Sequence, residues 1–383
     1  MGYENSTSTP TLPLWQTYRH QFPVTQNITY LNHAAVAPLC KPAADAQKHL
    51  SDDALLYGSW HYDQWMKCYD GFRHEAARMI HATPEEIAIV KNTSEGVATV
   101  QLGLDWRPGD IVVAFREEFP ANYYPWLRLE SRGVQLRWLS IYDPLEKIDE
   151  AARGARLLAI SYVNYLSGHR VDIEAIGEIC RRHGCFYFLD AIQGLGVYPI
   201  DVRKCGIHAL SADGHKWLLG PEGCGVLYIQ RDMQDRIEPI EFGWTNVAAY
   251  NDYASRDMTL RPDAGRYECG TLNTVGCYGL EASMKFLNDI EAAAPGEMAR
   301  HITALADQVV EGVRAKGYTV LGERTPAHSA GIVSFQKEGT DSRILWSRLR
   351  EHKITSAPRQ GWVRVSPHFY NSPADIEKLL SLL

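Results

Sequence analysis

Short apolar runs alternate with helical patterns from about residue 85 of the chain. Four of the runs are apolar at successive positions, which is typical of strands that are buried on both faces of a sheet. These runs cover residues 87–90, 111–115, 157–163 and 186–189. A fifth run at 223–229 follows a glycine-rich bend. The pattern predicts a sheet of mostly parallel strands.

A helix is predicted between the runs at 157–163 and 186–189. Asp172 is suited to the N-cap of this helix, and Gly184 follows its last turn. An apolar stripe lies between these two residues at helical spacing, formed by Ile173, Ile176, Ile179 and Cys180. Strand, helix and strand in this order favour parallel pairing through a right-handed crossover.

The last hundred or so residues have a different pattern. A long helical segment around 280–290 precedes short apolar runs at 331–335 and 362–366. We therefore predict an α/β protein with a large domain at residues 29–270. The predicted smaller α+β domain combines residues 1–28 with residues 271–383.

Composition narrows the class of protein. The chain has 383 residues, of which 45% are hydrophobic, and this is enough for more than one core. A net charge of −7 without a basic tail argues against a nucleic-acid partner, and no stretch is apolar enough to span a membrane. The eight cysteines are scattered and form no CxxC pair, so we expect neither disulfides nor a metal site. Residues 1–13 lack the features of a signal peptide, which predicts a cytoplasmic protein.

Polar residues that directly follow a strand are candidates for the site, because ligands of open parallel sheets bind beyond the carboxyl ends of the strands. The first such segment is Asn-Thr-Ser-Glu-Gly at residues 92–96. A helix that begins here would offer free N–H groups to an anion, and the hydroxyls of Thr93 and Ser94 would add hydrogen bonds. An ordinary helix cap is the alternative.

The second segment is Asp-Ala-Ile-Gln at residues 190–193. A carboxylate that closes an apolar strand needs a cation or hydrogen-bond donors to offset its desolvation. A pyridinium nitrogen is one such cation for Asp190, and Gln193 could donate to an oxygen on the same ring. A helix-capping aspartate is the alternative.

The third segment contains Lys216 within Ser-Ala-Asp-Gly-His-Lys-Trp, followed by Leu-Leu-Gly-Pro-Glu-Gly-Cys-Gly. Apolar neighbours lower the pKa of a lysine by desolvation, which frees its amine as a nucleophile. An ordinary surface lysine is the alternative for this residue taken alone.

These motifs occur in the order of a known family. Asp190 and Gln193 match its D-x-x-Q strand end, residues 214–216 match its H-K motif, and residues 220–223 match the G-P-x-G that follows. Residues 266–273, Arg-Tyr-Glu-Cys-Gly-Thr-Leu-Asn, match R-F-E-x-G-T-x-N. The chain thus resembles the aminotransferase class V superfamily of fold-type-I pyridoxal-phosphate enzymes. It is nearest to the branch that contains cysteine desulfurases and isopenicillin-epimerase-like proteins.

The resemblance implies the fold-type-I transferase fold, with a mostly parallel seven-stranded sheet and a smaller C-terminal domain. It implies that Lys216 forms a Schiff base with pyridoxal 5'-phosphate and later transfers the α-proton. Asp190 would pair with the pyridine nitrogen and Gln193 would contact the phenolic oxygen. The resemblance assigns further cofactor contacts to Thr93, Ser94, Phe119, Asn164 and His215.

Substrate and partner contacts follow from the same resemblance. Arg364 would bind the substrate α-carboxylate, and His33 and Tyr165 would lie near the substrate. Arg170 could bind an acidic substrate. A structural role is the alternative for His33 and for Arg170. Gly270 and Thr271 would reach the phosphate that is bound by the other subunit, which implies a homodimer with shared active sites.

The chain departs from the family pattern at several positions. The loop at 353–363 has no cysteine where desulfurases carry a nucleophilic one, and Phe119 stands where desulfurases stack a histidine on the cofactor. Tyr165 stands where an asparagine is expected, and Asp213 where a phosphate-binding serine is usual. From the first two departures we predict that the chain is not a typical cysteine desulfurase.

The resemblance implies an enzyme that acts on an amino acid through an external aldimine and α-proton abstraction, in the manner of class V aminotransferases. A lyase that eliminates a sulfur or other β-leaving group, or an epimerase, is the alternative on the same scaffold. A binding protein without catalysis is a third possibility, against which the intact Lys216 argues.

Overall fold

The structure is a computed structural model that describes residues 12–383. Residues 1–11, on which most of the signal-peptide interpretation rests, lie outside the described residues. The strands are β1 (Thr29–Tyr30), β2 (Ile87–Val90), β3 (Ile111–Phe115), β4 (Gln135–Leu139), β5 (Leu157–Ser161), β6 (Phe186–Asp190), β7 (Ala209–Asp213), β8 (Gly225–Ile229), β9 (Thr319–Val320), β10 (Val333–Gln336), β11 (Ile354–Thr355), β12 (Ala357–Arg359) and β13 (Trp362–Val365).

The longest helices lie before the first strand of the large sheet and after its last strand, and shorter helices alternate with the strands between them. They are α1 (Leu14–Tyr18), α2 (Lys41–Tyr57), α3 (Tyr62–Ile80), α4 (Thr93–Gly103), α5 (Tyr124–Leu127), α6 (Leu145–Ala152), α7 (Ile173–His183), α8 (Thr274–Ala293), α9 (Glu297–Ala315), α10 (Ser342–Glu351) and α11 (Pro373–Ser381). Within residues 12–383, none of them combines the length and hydropathy that a bilayer crossing requires.

Seven strands form the central sheet in the order β2-β8-β7-β6-β5-β3-β4. β8 runs antiparallel to both of its neighbours, and the remaining strands run parallel to one another. Apolar side chains cover both faces of this sheet, which explains why its strands read as continuous apolar runs. The predicted mostly parallel sheet of seven strands is confirmed.

The predicted unit of strand, helix and strand is present as β5, α7 and β6. Leu157 pairs with Phe186 in a parallel ladder, as the crossover argument requires. The Asp172 side chain accepts a hydrogen bond from the backbone N–H of Ala175, and Gly184 ends the helix with φ +63°. The cap and the glycine therefore act as the sequence predicted.

Two strands of the sheet were absent from the sequence prediction. β4 is an edge strand whose residues are only partly buried, so it lacks a continuous apolar run. β7 is fully buried but contains Ser211 and Asp213, which interrupt its apolar character. Asp213 lines a polar cavity, Ser211 bonds the Val226 backbone oxygen, and these two polar residues hide the strand from a hydrophobicity pattern.

The C-terminal part forms a second, smaller layer. An antiparallel sheet in the order β12-β13-β10-β9 packs with α9, α10 and α11 around its own apolar core. β1 pairs in parallel with β11, which ties the N-terminal segment to this part of the chain. Helix α8 packs against α2 and α3. The domain boundaries at residues 28/29 and 270/271 stay a prediction.

The topology brings the predicted motifs to one edge of the central sheet. Because β2, β3, β5, β6 and β7 run in the same direction, their carboxyl ends lie together. The segments that follow these strands carry Thr93, Phe119, Ser161, Asp190 and Asp213 at or beyond those ends.

The contact between α7 and the loop before β7 depends on Gly177. A Cβ at this position would overlap the backbone carbonyl oxygen of Cys205. We expect Gly177→Ala to destabilise the protein by about 1–3 kcal/mol and to lower its Tm, although alanine normally favours a helix. Gly71→Ala in α3 is the matched control, because there the Cβ would meet only the flexible carboxylate of Glu281. An unchanged Tm for Gly177→Ala would contradict this packing.

Candidate active site

A cavity of about 400 Å³ opens at the carboxyl edge of the central sheet. Eight of the residues predicted from the sequence line it: Thr93, Ser94, Phe119, Asp190, Gln193, His215, Lys216 and Arg364. They come from both the large sheet and the C-terminal sheet, since Arg364 lies on β13. The cavity is therefore a place where the two parts of the chain contribute to one site.

Helix α4 begins at the wall of this cavity. Its N-cap, Asn92, accepts a hydrogen bond from the backbone N–H of Glu95. The hydroxyl of Thr93 is buried and has no hydrogen-bond partner within the described residues. Gly96 lets the helix approach β7 closely, because a Cβ there would overlap the Ser211 hydroxyl. The free N–H groups and the orphaned hydroxyl suit an anion at the helix N-terminus.

Lys216 is buried at the base of the cavity, and only 8% of its surface is exposed. Burial lowers the pKa of its amine to about 8, although the nearby carboxylates of Asp190 and Asp213 favour the charged form. Its Nζ lies 5.5 Å from the centroid of the Phe119 ring. A substantial fraction of this amine is therefore neutral and nucleophilic near pH 7–8.

Asp190 closes β6 and is buried. One of its carboxylate oxygens accepts a hydrogen bond of 3.0 Å from the backbone N–H of Ile192. Burial raises its pKa to about 6, while that hydrogen bond and the charge of Lys216 limit the rise. Asp190 therefore ionises near neutral pH and would gain stability from a cationic partner in the cavity.

A second buried carboxyl, Glu118, lies close to Asp190 and was missed by the sequence analysis. Its oxygens contact the backbone N–H of Ser161 at 2.6 Å and the Ser161 hydroxyl. Burial raises the pKa of Glu118 to about 8, and the charge of Asp190 adds to this effect. Of the two buried carboxyls, Glu118 has the higher pKa, so Asp190 is the first to ionise as the pH rises.

Gln193 is buried beside the cavity, and both ends of its amide have partners. Its Oε1 accepts a hydrogen bond of 2.7 Å from the Trp217 indole, and its Nε2 donates to the backbone oxygen of Ala34 at 3.0 Å. The amide is therefore held in a defined orientation.

Asp213 and His215 explain how a carboxylate is tolerated at the end of β7. Asp213 Oδ1 lies 2.9 Å from His215 Nδ1, although the contact lacks hydrogen-bond alignment. The carboxylate of Asp213, which stands where the family has a phosphate-binding serine, faces the imidazole. His215 lines the cavity next to Lys216.

Arg364 is 2% exposed, and its guanidinium reaches the cavity from β13. Its Nη1 donates to the backbone oxygen of Tyr165 at 2.6 Å, whereas Nε has no partner within residues 12–383. Burial lowers its pKa to about 10, and the neighbouring charge of Arg359 acts in the same direction. A cation with unused donors in such surroundings favours a carboxylate ligand.

Some residues from the sequence analysis lie away from the cavity. His33 is buried, with its ring nitrogens 2.8 Å from the Ser366 backbone oxygen and 2.7 Å from the Tyr370 hydroxyl. Burial lowers the pKa of His33 to about 4. The structure thus gives His33 a place in the core rather than at the cavity wall.

Asn164 organises a turn. Its side-chain oxygen accepts from the backbone N–H groups of Leu166 and Ser167, and its Nδ2 donates to the Glu117 backbone oxygen. The next residue, Tyr165, lines the cavity in its place. The family pattern expects an asparagine at position 165, but the chain has its asparagine at position 164. This offset of one residue was the sequence signal that Asn164 would not take the family's place at the site.

Gly270 and Thr271 do not line the cavity of their own chain. Gly270 is partly exposed and Thr271 is exposed. Glu268 holds the segment before them through Arg73 at 2.7 Å and the backbone N–H of Ile89 at 2.9 Å. Their predicted role at a partner's site stays a prediction.

Arg359 lines the cavity and was not singled out from the sequence. It is exposed and lies on the β12–β13 hairpin that also carries Arg364. Arg170, for which the sequence analysis weighed a substrate role, lies instead at a larger cleft of about 720 Å³. There it donates to the backbone oxygens of Pro326 and Ala327.

The groups around the cavity fit pyridoxal phosphate. The start of α4 with its orphaned Thr93 hydroxyl suits the phosphate. The ionisable Asp190 suits a pyridinium nitrogen, Gln193 offers an amide, and the amine of Lys216 suits an aldehyde carbon. Each functional group of this cofactor therefore has a chemically matched partner.

Comparisons with known proteins agree with this fit. The family described as Aminotransferase class-V matches residues 29–379. A probable cysteine desulfurase of Pyrococcus abyssi is 30% identical over 95% of this chain and 96% of its own length. The uncharacterized aminotransferase YcbU of Bacillus subtilis is 28% identical over 94% of each chain.

Solved structures show the same likeness in three dimensions. The apo structure of cysteine desulfurase from Thermococcus onnurineus NA1 superimposes with a TM-score of 0.88. It is 26% identical and covers 97% of this chain and 98% of its own. The predicted fold-type-I architecture is confirmed.

The prediction that the chain is not a typical cysteine desulfurase is wrong. Relatives with that name, from Pyrococcus abyssi and Methanothermobacter thermautotrophicus, align over 95% and 94% of the chain. The prediction gave decisive weight to one loop, 353–363, and to one ring, Phe119. The likeness to desulfurases instead extends through both parts of the fold.

The match over residues 29–379 and the shared fold identify the family, and the residues that line the cavity fit its cofactor. This chain belongs to the aminotransferase class V family and is a pyridoxal-phosphate-dependent enzyme.

Proposed function

We propose that this enzyme cleaves the C–S bond of a cysteine-type amino acid after removal of its α-proton. The observation that carries the proposal is the likeness over the whole chain to the probable cysteine desulfurase of Pyrococcus abyssi. The cavity adds a buried amine, a buried carboxylate and a buried arginine in the places that such chemistry needs.

Pyridoxal phosphate, when held on Lys216, supplies an electron sink for charge that develops at the substrate α-carbon. The amine of Lys216 has two tasks in the proposal: it forms the covalent attachment, and once freed it takes the α-proton. Both tasks need the neutral amine, and the pKa of about 8 provides it near neutral pH.

Three side chains would hold the ring of the cofactor. Asp190 would keep a proton on the ring nitrogen, because its buried carboxylate favours a cationic partner. Gln193 would donate to the phenolic oxygen, and Phe119 would pack on the ring. The remaining cofactor contacts, Thr93, Ser94 and His215, would surround the phosphate at the start of α4.

Arg364 would bind the substrate α-carboxylate with its unused N–H groups. Its contact with the Tyr165 backbone oxygen fixes the guanidinium, so little side-chain entropy is lost when a substrate binds. Arg359 at the mouth of the same cavity would attract the anionic substrate.

The proposed active unit is a homodimer. Gly270 and Thr271 leave their own cavity untouched and stay accessible, while Arg73 holds Glu268 and thus the start of their segment. In the proposal these two residues bind the phosphate in the partner's site.

The pH dependence of Lys216 in the cofactor-free protein tests its proposed role. Modification of Lys216 by an amine reagent, followed by mass spectrometry, should rise with pH and reach its half-maximal rate near pH 8. Asp190→Asn should lower this midpoint, because the Asp190 charge favours the protonated amine. Lys285 is the internal control: its hydrogen bond to Asp289 raises its pKa, so it should react only at higher pH. A Lys216 midpoint at or above that of Lys285 would contradict the proposed activation.

Product analysis with L-cysteine or L-cystine tests the reaction. In the absence of a keto acid, we expect L-cysteine and water to give sulfide, pyruvate and ammonia, or L-cysteine and an added thiol to give alanine and the persulfide of that thiol. Lys216→Ala should lower the rate at least about 100-fold, because it removes the acid–base group. Lys285→Ala, which changes an exposed lysine on α8, should keep full activity. Turnover that requires a keto acid, or inversion at the α-carbon without loss of sulfur, would contradict C–S cleavage.

Mixed dimers test the sharing of sites. Lys216→Ala and Thr271→Asp should each be nearly inactive, the second because a carboxylate would repel the partner's phosphate. Random exchange of subunits in an equal mixture should restore about a quarter of the wild-type activity, because half of the dimers then contain one intact site. A mixture that stays inactive although subunits exchange would show that Thr271 acts in its own chain.

A further inference from the structure

Trp217 follows Lys216 directly and is almost fully buried, at 1% exposure. Its indole N–H donates to Gln193 Oε1 at 2.7 Å. An indole N–H is a donor only, so this bond requires the oxygen of the Gln193 amide at that end. The NH2 group of Gln193 is consequently at the other end, where it donates to the Ala34 backbone oxygen at 3.0 Å.

This arrangement leaves one N–H of Gln193 without an acceptor within residues 12–383. Gln193 lines the cavity, so the donor end of its amide is available to a ligand there. A rotated amide would place its oxygen against the Ala34 oxygen and its NH2 against the indole N–H. Both hydrogen bonds would then be lost, because two acceptors and two donors would face each other. The favoured orientation therefore leaves one N–H of Gln193 as a donor for a ligand in the cavity.

The indole is itself held by the C-terminal part of the chain. A Cβ at Gly331 would come within 2.9 Å of Trp217 Cη2, so the ring packs directly on the backbone before β10. His368 Nε2 lies 3.2 Å from the Trp217 backbone oxygen, and its ring centroid lies 5.5 Å from the indole. Contacts on both the side chain and the backbone keep the indole N–H aimed at Gln193.

We propose that Trp217 is a positioning residue that fixes the Gln193 amide, so that its N–H is directed at the phenolic oxygen of the cofactor ring. This inference rests on the proposed contact between Gln193 and that oxygen. A donor at the phenolate makes the oxygen less basic, and a less basic oxygen holds the proton on the neighbouring cofactor–lysine nitrogen less tightly. Loss of the orientation should therefore raise the pH at which the bound cofactor loses that proton.

Absorbance titration of the holoenzyme measures this midpoint without turnover. Gln193→Leu should raise it by about 0.5 to 1 pH unit, the equivalent of one neutral hydrogen bond. Trp217→Phe should raise it in the same direction, and the double variant should match Gln193→Leu alone, because Trp217 acts through Gln193. A shift in Gln193→Leu with none in Trp217→Phe, or additive shifts in the double variant, would overturn the inference.

Trp106→Phe is the matched control. Trp106 is also a buried tryptophan, and its indole donates to the backbone oxygen of Gln101 at 2.6 Å. Neither residue lines the cavity. This variant should lower the Tm through lost packing but leave the midpoint of the titration unchanged, which separates a positioning role from a structural one.

A second measurement keeps the test valid even if Trp217→Phe fails to fold. The chain has ten tryptophans, and their indole N–H groups give separate signals in a ¹⁵N-tryptophan NMR spectrum of the holoenzyme. In Gln193→Leu the Trp217 signal should move and the Trp106 signal should not. If no indole signal moves, the bond between Trp217 and Gln193 is absent. If the wild-type protein, saturated with cofactor, shows no visible absorbance band, the proposed function itself fails.

Discussion

Lys216 and Asp190 are both buried at the carboxyl edge of the central sheet, where removal from water disfavours the charged form of each. The pKa of the amine falls to about 8 and that of the carboxyl rises to about 6. Their mutual attraction and the backbone N–H of Ile192 limit these shifts. The result is a site in which one group gives up its proton more easily than usual and the other would gain stability from a cationic partner. Most of the remaining polar groups can be understood as partners for this cofactor.

Other ionisable groups of the fold lie around Lys216 and Asp190. Burial raises the pKa of Glu118 above that of Asp190, so Asp190 is the first of the two to ionise. Asp213 Oδ1 lies 2.9 Å from His215 Nδ1, so an imidazole stands beside this carboxylate. Arg364 reaches the cavity from the smaller sheet. Substrate binding would therefore bridge the two parts of the chain.

The likeness of this chain to desulfurases is a property of the whole fold rather than of one loop. The absence of a cysteine from residues 353–363 led to the prediction that the chain is not a typical cysteine desulfurase. However, the likeness to the desulfurase structure extends over 97% of this chain. One loop contributes little to such a comparison. The sulfur-accepting step is decided by product analysis rather than by that loop.

Local patterns were enough to predict the buried strands, the helix capped by Asp172 and Gly184, and the lysine motif, because neighbouring residues determine each of them. Family resemblance added the cofactor and its contacts. Tertiary structure alone decided that Arg359 lines the cavity, that Asn164 holds a turn and that both nitrogens of His33 are bonded in the core. It also joined Trp217 to Gln193 across 24 residues of sequence. The direction of a side chain and its burial depend on segments distant in sequence, and no local pattern contains that information.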